Sequence, residues 1–273
     1  MSSTVEARPA MGRRYHNSPP LSMPLISATI IARNEAASIA RALQSLALAD
    51  EILVVDSGST DDTCKIATGM GARVLVEPWR GFAAQKNFAA RAAKHDWILS
   101  LDADEEFDAR AQASIREWKA SEPDAAGYRF ARRARYCGKW IGHSGWYPDY
   151  KTRLYHRLRG EWTGSHVHES VAVTGQVRAL PGEILHYTCD SLADHRKRIE
   201  FYTGLAAEQM MAEGRSVGPL RRLIAPPWEF LRTYLFRLGI LDGAQGFWIA
   251  RMAALYVARK NAKWAALAAK KNR

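Results

Sequence analysis

Apolar and polar positions alternate along the first hundred residues in short blocks that predict strands followed by helices. Residues 26–32 form an apolar-rich run typical of a buried strand, and Ile39, Leu43 and Leu46 then follow at helical spacing. The order repeats along the chain, with predicted strands at 51–55, 73–77 and 97–101 and predicted helices at 38–48, 63–69 and 82–93. Such alternation is typical of a doubly wound parallel sheet, so we predict an α/β fold.

The pattern changes beyond residue 108. A helix to residue 119 and a strand at 127–134 continue the sheet, and an aromatic, glycine-interrupted stretch then leads to a strand at 152–156. A polar helix is predicted at 190–213, and Pro226-Pro227 is expected to begin an amphipathic helix with Phe230, Leu231, Leu235 and Leu238 on its apolar side. We therefore divide the chain into a disordered leader (1–23), a catalytic domain (24–213) and a basic helical extension (214–273).

Three polar clusters follow predicted strands, at the edge of a parallel sheet where ligands bind. They are Arg33-Asn34-Glu35, Asp56 with its Ser/Gly turn, and Asp102-Ala103-Asp104. Two carboxylates one residue apart can hold a divalent cation against a diphosphate, although a solvated acidic loop is the common alternative for so short a pattern. The chain has neither a Gly-x-Gly-x-x-Gly fingerprint nor a Walker loop, so the sequence supports neither a dinucleotide fold nor a P-loop NTPase.

Cysteine content and charge indicate the cellular compartment and the kind of surface that the chain contacts. Three widely spaced cysteines without a Cys-x-x-Cys pair suit a reducing cytoplasm. Residues 219–273 hold eleven Lys or Arg against two acids, a net +9 of the +11 carried by the whole chain. A basic, aromatic-rich terminal segment suits an anionic membrane surface better than nucleic acid. Because no apolar run approaches the ~18 residues of a membrane span, we expect the extension to lie on the inner face of the cytoplasmic membrane. The alternative is that its apolar side packs on the catalytic domain or on a second subunit.

The polar clusters resemble the three motifs of inverting family 2 glycosyltransferases with the GT-A fold. The segments that carry the resemblance are 30–35 (Ile-Ile-Ala-Arg-Asn-Glu), 54–63 (Val-Val-Asp-Ser-Gly-Ser-Thr-Asp-Asp-Thr) and 101–105 (Leu-Asp-Ala-Asp-Glu). Further segments resemble the lipopolysaccharide core glucosyltransferases of the WaaE/KdtX group: 85–89 (Gln-Lys-Asn-Phe-Ala), 162–164 (Trp-Thr-Gly), 167–169 (Val-His-Glu) and 241–243 (Leu-Asp-Gly). The resemblance spans roughly residues 25–265.

The resemblance implies a UDP-sugar donor and assigns roles to individual residues. Asp56 matches the carboxylate that accepts a hydrogen bond from uracil, Asp102 faces the ribose and phosphates, and Glu35 lies near the nucleoside. Lys86 is a candidate for a donor phosphate or the sugar, with a solvated helix face as the alternative, and Arg153 is a candidate for the diphosphate or the base. The candidate substrate-binding residues are therefore Arg33, Glu35, Asp56, Ser57, Lys86, Asp102, Ala103 and Arg153.

The expected chemistry is a single displacement that needs one general base and a cation. Glu169 matches the carboxylate of the Val-His-Glu motif and is the first choice as base, with Asp149 as the alternative. Asp104 matches the family's ligand for Mn²⁺ or Mg²⁺, and His186 is the candidate for a second ligand. His166 and His168 are of metal-binding type, but a lone strand histidine is more often structural.

The function that follows is transfer of a hexose, glucose by resemblance, from a UDP-sugar to a lipid-linked acceptor such as the heptose of the lipopolysaccharide inner core on lipid A. The alternatives are a UDP-galactose or UDP-N-acetylhexosamine donor, a nucleotidyltransferase that releases pyrophosphate, and a non-enzymatic protein that binds anionic lipid or RNA. The last alternative gives Asp56, Asp102 and Asp104 no role.

Overall fold

The computed structural model describes residues 23–164 and 169–271 of the 273-residue chain. The strands are β1 (Ile26–Ala32), β2 (Glu51–Asp56), β3 (Arg73–Val76), β4 (Trp97–Asp102), β5 (Glu105–Phe107), β6 (Gly127–Tyr136), β7 (Lys139–Trp140), β8 (Asp149–His156), β9 (Gly160–Thr163), β10 (Ser170–Val173) and β11 (Val177–Cys189). The α-helices are α1 (Ile39–Ser45), α2 (Thr63–Gly69), α3 (Phe82–Ala92), α4 (Ala109–Lys119), α5 (Leu192–Ala212), α6 (Pro219–Leu231) and α7 (Ala244–Lys271). The predicted α/β fold with helices flanking a largely parallel sheet is confirmed.

The main sheet has the strand order β3-β2-β1-β4-β8-β6-β11-β5, with β7 paired to β6. Strands β3, β2, β1 and β4 are parallel, as the strand–helix alternation predicts. Beyond β4 the sheet becomes mixed, because β8 is antiparallel to both β4 and β6, β11 is parallel to β6, and β5 is antiparallel to β11. Strands β9 and β10 form a separate antiparallel pair. The mixed half places residues from β5, β8 and β11 beside the end of β4.

The core has two layers, because neighbouring residues of a strand point to opposite faces of the sheet. Val54 of β2 packs on the face covered by α1, α2 and α4, whereas Leu53 and Val55 pack on the opposite face with α3. Strand β1, in the middle of the parallel half, is buried along nearly its whole length. The buried strands therefore bring their polar carboxyl-terminal residues to one edge.

The C-terminal helices form a layered extension in which α7 packs against both α5 and α6. A π-helical turn (Arg232–Phe236) and a 3₁₀ turn (Gly239–Asp242) connect α6 to α7. The prediction that Pro226-Pro227 begins a helix is wrong, since α6 begins at Pro219 and continues through both prolines. Proline suits the first helical position, whereas the two inner prolines remove N–H donors and their rings crowd the carbonyls of the preceding turn.

Apolar side chains of this extension face outward. Ten of them, from α6 and the two turns after it, are exposed, and we call them the apolar ridge: Leu220, Leu223, Ile224, Trp228, Leu231, Leu235, Phe236, Leu238, Ile240 and Leu241. Leu223 is the most exposed, at 75%. None of the helices in 23–164 and 169–271 combines the length and apolar character that crossing a bilayer requires.

Asp242 fastens the extension to the sheet domain. Its buried carboxylate accepts hydrogen bonds from the backbone N–H groups of Gly142 and His143, at 3.0 and 3.1 Å, and from the Ser144 hydroxyl at 2.8 Å. Lys139 donates to the Asp242 carbonyl at 2.8 Å. These bonds fix the loop after β7 to the 3₁₀ turn that carries part of the apolar ridge.

Candidate active site

The acidic turn Asp102-Ala103-Asp104-Glu105 connects β4 to β5 at the carboxyl edge of the parallel strands. Asp102 is the last residue of β4 and lies opposite Ile31 of β1 in the parallel register. Ala103 is buried, and Glu105, the first residue of β5, is 0% exposed. The turn therefore presents two partly exposed carboxylates, Asp102 and Asp104, and hides a third.

Asp102 is held by two cations. Its carboxylate is 2.6 Å from Lys86 Nζ and accepts a hydrogen bond from Arg153 at 2.7 Å. Burial alone would raise the pKa of Asp102, but the charges of Arg153 and Lys86 lower it far below its usual range. Lys86 is 6% exposed and its ammonium lies 4.1 Å from the centre of the Trp162 ring, so the alternative of a lysine on a solvated helix face is wrong.

The buried carboxylate of Glu105 binds Arg153, which also binds Asp102. It accepts hydrogen bonds from Arg153 at 2.6 Å and from Arg132 at 3.1 Å. Arg153 is 3% exposed, and although burial would lower its pKa, Asp102 and Glu105 raise it. No role was assigned to Glu105 or Arg132 from the sequence, because an acid in an acidic run and an arginine in the Arg-rich β6 both resemble surface residues. The Arg153 guanidinium, a candidate for the diphosphate, is thus paired with two carboxylates of the protein, Asp102 and Glu105.

His186 lies beside Asp104 because β11 runs antiparallel to β5 and pairs His186 with Glu105. His186 Nε2 and Asp104 Oδ2 are 3.2 Å apart, and both side chains are partly exposed. The pKa of Glu35 is raised overall. Burial raises it, a hydrogen bond from the Ser38 hydroxyl lowers it, and the nearby charge of Asp104 raises it further.

An oxygen and an imidazole nitrogen at this spacing fit a cation that takes its other ligands from a diphosphate and water. Among the described residues, no cluster of three or more His, Cys, Asp or Glu side chains is arranged to hold a metal. Asp104 and His186 are the pair of predicted ligands that the structure brings together.

The ends of β1 and β2 carry the remaining substrate-binding candidates. The buried Asp56 carboxylate accepts hydrogen bonds from the backbone N–H groups of Gly58 and Ser59, at 2.9 and 2.8 Å, and from the Ser59 hydroxyl. The Ser57 hydroxyl accepts a bond from Gln85 at 3.2 Å, and Arg33 is exposed to solvent. Asp56 thus shapes its own turn at the sheet edge, with Ser57 tied to α3.

Two cavities meet at this edge. The Lys86 cavity, about 230 Å³, is lined by Lys86, Asp102, Arg132, Arg153, Trp162 and Glu169. The His186 cavity, about 440 Å³, is lined by Arg132, Gly145, Trp146, Pro148, Asp149 and His186. Arg132 borders both, and it bonds Glu105 on one side and Asp149, at 2.7 Å, on the other. The two adjoining cavities thus bring together predicted site residues from α3, β4, β8 and β11 with Glu169. The predicted residues Arg33, Glu35, Asp56, Ser57, Ala103 and Asp104 are not among the residues that line either cavity.

The two candidate bases differ in their surroundings. Glu169 lines the Lys86 cavity, and its Oε1 is buried without a hydrogen-bond partner among the described residues. Asp149 is paired with Arg132 and, at 3.0 Å, with Lys151. Burial would raise the pKa of Asp149, but these cations lower it overall. His166 and His168 of the same motif lie outside the described residues.

The aromatic stretch divides between packing and cavity lining. Tyr155 is fully buried and accepts a hydrogen bond from the Trp162 indole at 3.1 Å, so this side chain packs in the core. The Asn87 amide donates to the Trp162 carbonyl at 2.8 Å and accepts from the Trp162 backbone N–H at 2.9 Å. These bonds hold the residue whose ring lies beside Lys86. Trp146 remains available to line the His186 cavity.

Among families of known proteins, the one described as Glycosyl transferase family 2 matches residues 27–173 of this chain. A lipopolysaccharide core biosynthesis glycosyltransferase, LpsC, from Rhizobium meliloti is 33% identical over 85% of this chain and 88% of its own length. An uncharacterized glycosyltransferase from Rickettsia prowazekii is 32% identical over 82% of this chain and 81% of its own. Among solved structures, glucosyl-3-phosphoglycerate synthase from Mycobacterium tuberculosis, in complex with Mn²⁺, UDP and glucosyl-3-phosphoglycerate, is 26% identical with a TM-score of 0.31, covering 42% of this chain and 45% of that one.

Proposed function

The chain belongs to glycosyl transferase family 2, and on that premise we propose that it moves a hexose, with glucose first among the candidates, from a UDP-sugar to a lipid-linked acceptor with inversion at the anomeric carbon. One observation carries the proposal. Asp102 with its two cations and the unpartnered oxygen of Glu169 line a single cavity, and Asp104 of the same acidic turn lies 3.2 Å from His186 of β11. A diphosphate leaving group and an attacking hydroxyl need groups of these kinds close together.

The donor would lie along the edge formed by β1, β2 and β4. Asp56 would accept the imide N–H of uracil in addition to the bonds from its own turn, with Arg33, Glu35 and Ser57 around the nucleoside. Asp102 and Ala103 would face the ribose and the phosphates. Lys86 lies at the same cavity and balances the charge of Asp102, so that a dianionic diphosphate meets a neutralised rather than an acidic wall.

Asp104 and His186 would hold Mn²⁺ or Mg²⁺. When bound, the cation supplies Lewis-acid stabilisation of the charge that develops on the departing UDP. Imidazole suits manganese better than magnesium, which prefers oxygen ligands, so His186 favours Mn²⁺.

Glu169 would accept the proton of the attacking hydroxyl. Its buried oxygen has no described partner to compete with the acceptor, whereas the cations around Asp149 lower the pKa of that carboxyl and make it a weaker base. Because the sugar is transferred in one displacement, no covalent sugar–enzyme intermediate is needed. Arg132, which bonds both Glu105 and Asp149, would keep the wall between the cavities in place.

The acceptor would be a glycolipid at a membrane surface, with the heptose of the lipopolysaccharide inner core as the leading candidate. The similarity to LpsC of Rhizobium meliloti, named for lipopolysaccharide core biosynthesis, supports this class of acceptor. The apolar ridge and the net +9 of residues 219–273 support a peripheral position on the inner face of the cytoplasmic membrane. Residues 24–213 would then act as the catalytic domain and residues 214–273 as the membrane-facing extension.

A product assay tests the proposal. The enzyme is given UDP-glucose, UDP-galactose and UDP-N-acetylglucosamine with truncated lipid A-core acceptors, and the product is identified by mass and by NMR of the new linkage. UDP release with a β-linked hexose from an α-linked donor is expected. Pyrophosphate release, retention of configuration, or no transfer to any lipid-linked acceptor would contradict it.

A further inference from the structure

A third cavity, of about 560 Å³, lies among the C-terminal helices, apart from both cavities of the candidate active site. The C-terminal end of α5, residues 215–217, α6 and α7 enclose it. Four cations line it, Arg215, Arg221, Arg232 and Lys260, together with the carboxylate of Glu229. We call it the Lys260 cavity.

The positive charge of this cavity is incompletely balanced. Arg232 donates to Glu229 at 2.8 Å, and Arg215 reaches the exposed Glu213 at 3.3 Å. Neither Arg221 nor Lys260 forms a salt bridge with any residue in the described ranges. Burial lowers the pKa of Lys260, and the charges of Arg215 and Arg221 lower it further. An anion in the cavity would relieve this repulsion.

Two further features suit a phosphate. The Nε of Arg232 is buried and has no acceptor among the described residues. Arg221 lies in the first turn of α6, a turn that follows Gly218 and has no side-chain cap, so the positive end of the helix dipole adds to the cations. Phosphate oxygens are strong acceptors for arginine and lysine donors.

One wall of the cavity belongs to the apolar ridge. Leu220, Ile224 and Trp228 line the cavity and are also at least half exposed on the outer surface of α6. A tryptophan at a boundary between apolar surface and charge is typical of proteins that sit at a membrane interface. A ligand that fits both parts has a phosphate and acyl chains.

We propose that the Lys260 cavity binds the phosphodiester headgroup of an anionic phospholipid of the bilayer, with its acyl chains along the apolar ridge. The inference rests on the membrane position in the proposed function and adds to it a defined, one-lipid site. The acceptor glycolipid fits less well, because the cavity lies at the far end of α5 from β11 and His186. That helix has 21 residues, about 30 Å at roughly 1.5 Å per residue.

The test uses dihexanoyl-phosphatidylglycerol below its micelle concentration, titrated into the full-length protein by calorimetry. A monomeric lipid has no surface potential, so diffuse attraction to the basic extension does not contribute. The cavity variant is Arg221→Gln/Lys260→Gln, and the matched control is Arg251→Gln/Lys270→Gln, which removes the same charge from exposed positions of α7 outside the cavity.

We expect saturable binding of one lipid per wild-type chain, weakened at least about tenfold in the cavity variant and within about twofold in the control. Circular dichroism verifies that both variants are folded. Binding that does not saturate, equal losses in both variants, or equal affinity for inorganic phosphate would overturn the proposal, and the last outcome would identify a free-phosphate site instead.

An activity assay distinguishes failure of the lipid proposal from failure of the proposed function. The cavity variant should transfer sugar to a water-soluble, deacylated acceptor at the wild-type rate, because neither residue belongs to the candidate active site. If the wild-type protein transfers no sugar but binds one lipid as described, the proposed function fails and the lipid site stands. If transfer occurs and the lipid titration shows no defined site, the lipid proposal fails alone.

Discussion

Replacing Glu169 by Gln tests the assignment of the base most directly. Glutamine keeps the shape of the side chain and an acceptor oxygen, but it cannot take up the proton of the acceptor hydroxyl. Because Glu169 Oε1 has no described partner, the substitution breaks no observed hydrogen bond of that atom. The expected loss is therefore the general-base contribution alone, a decrease in kcat of about 10²–10⁴-fold, or about 3–5.5 kcal/mol in the activation barrier.

The same change at Asp149 should have a small effect. Asp149→Asn removes two partly exposed ion pairs, with Arg132 and Lys151, and Arg132 keeps its bond to Glu105. Such pairs contribute about 0–1 kcal/mol each to stability, so the fold should be kept. Because Asp149 takes up no proton in the proposed reaction, the decrease in kcat should stay below about tenfold. The matched control is Glu161→Gln, an exposed position on the neighbouring strand β9, which should leave kcat unchanged.

The assay measures UDP release at saturating donor while acceptor concentration varies, and calorimetry measures UDP affinity in the presence of Mn²⁺. Glu169→Gln should bind UDP as tightly as the wild type. The reasoning would be refuted if Glu169→Gln retained more than about a tenth of the wild-type kcat, or if Asp149→Asn lost 10²-fold or more while Glu169→Gln did not.

Four further changes have defined outcomes. Arg153→Met leaves Glu105 buried beside one guanidinium and should lower the free energy of unfolding by about 3–5 kcal/mol in urea titrations; a loss below 1 kcal/mol would contradict the buried network. Burial lowers the pKa of His195 to about 4, whereas an unfolded histidine titrates near 6.5, so protonation favours the unfolded chain and stability should fall as pH drops through that interval. Since the ring is partly exposed, the fall should be only about 1–2 kcal/mol, and His195→Gln should remove it. Asp242→Asn weakens charge-assisted bonds to the loop after β7 and should speed proteolysis of that loop, with unfolding easier by about 1.5–3 kcal/mol. Chelation should abolish transfer, and His186→Ala should raise the Mn²⁺ concentration for half-maximal activity about 10–100-fold.

The parallel half of the sheet could be predicted because its signals are local. Strand β1 and helix α2 have the predicted bounds, and β2, β3 and β4 differ from theirs by one residue. Each of these elements is defined by its own apolar period and by the polar turn that follows. The mixed half depends on pairings between distant segments, such as β5 with β11, and no local pattern encodes them.

Within the site, too, only residues with a local sequence signal could be predicted. Asp102 and Asp104 stand out because two acids follow a buried strand. His186 lies beside Asp104, and its role as a second metal ligand stays a prediction. Glu105 does not stand out, because its burial depends on Arg132 and Arg153, which lie 27 and 48 residues along the chain. Whether an ionisable residue is a solvated charge or the centre of a buried network is decided by such distant partners.

The bonds of Asp242 have a consequence for which sugars can react. They join the loop before Gly145 and Trp146, at the His186 cavity, to the turn that carries Ile240 and Leu241 of the apolar ridge. With the ridge resting on a bilayer, the catalytic groups would stand at a constant height above the lipid. Selection of the acceptor would then depend on distance as well as on shape. A saccharide whose reactive hydroxyl projects to that height would be glycosylated, and a longer or shorter chain of the same composition would lie beyond or beneath the reach of the enzyme.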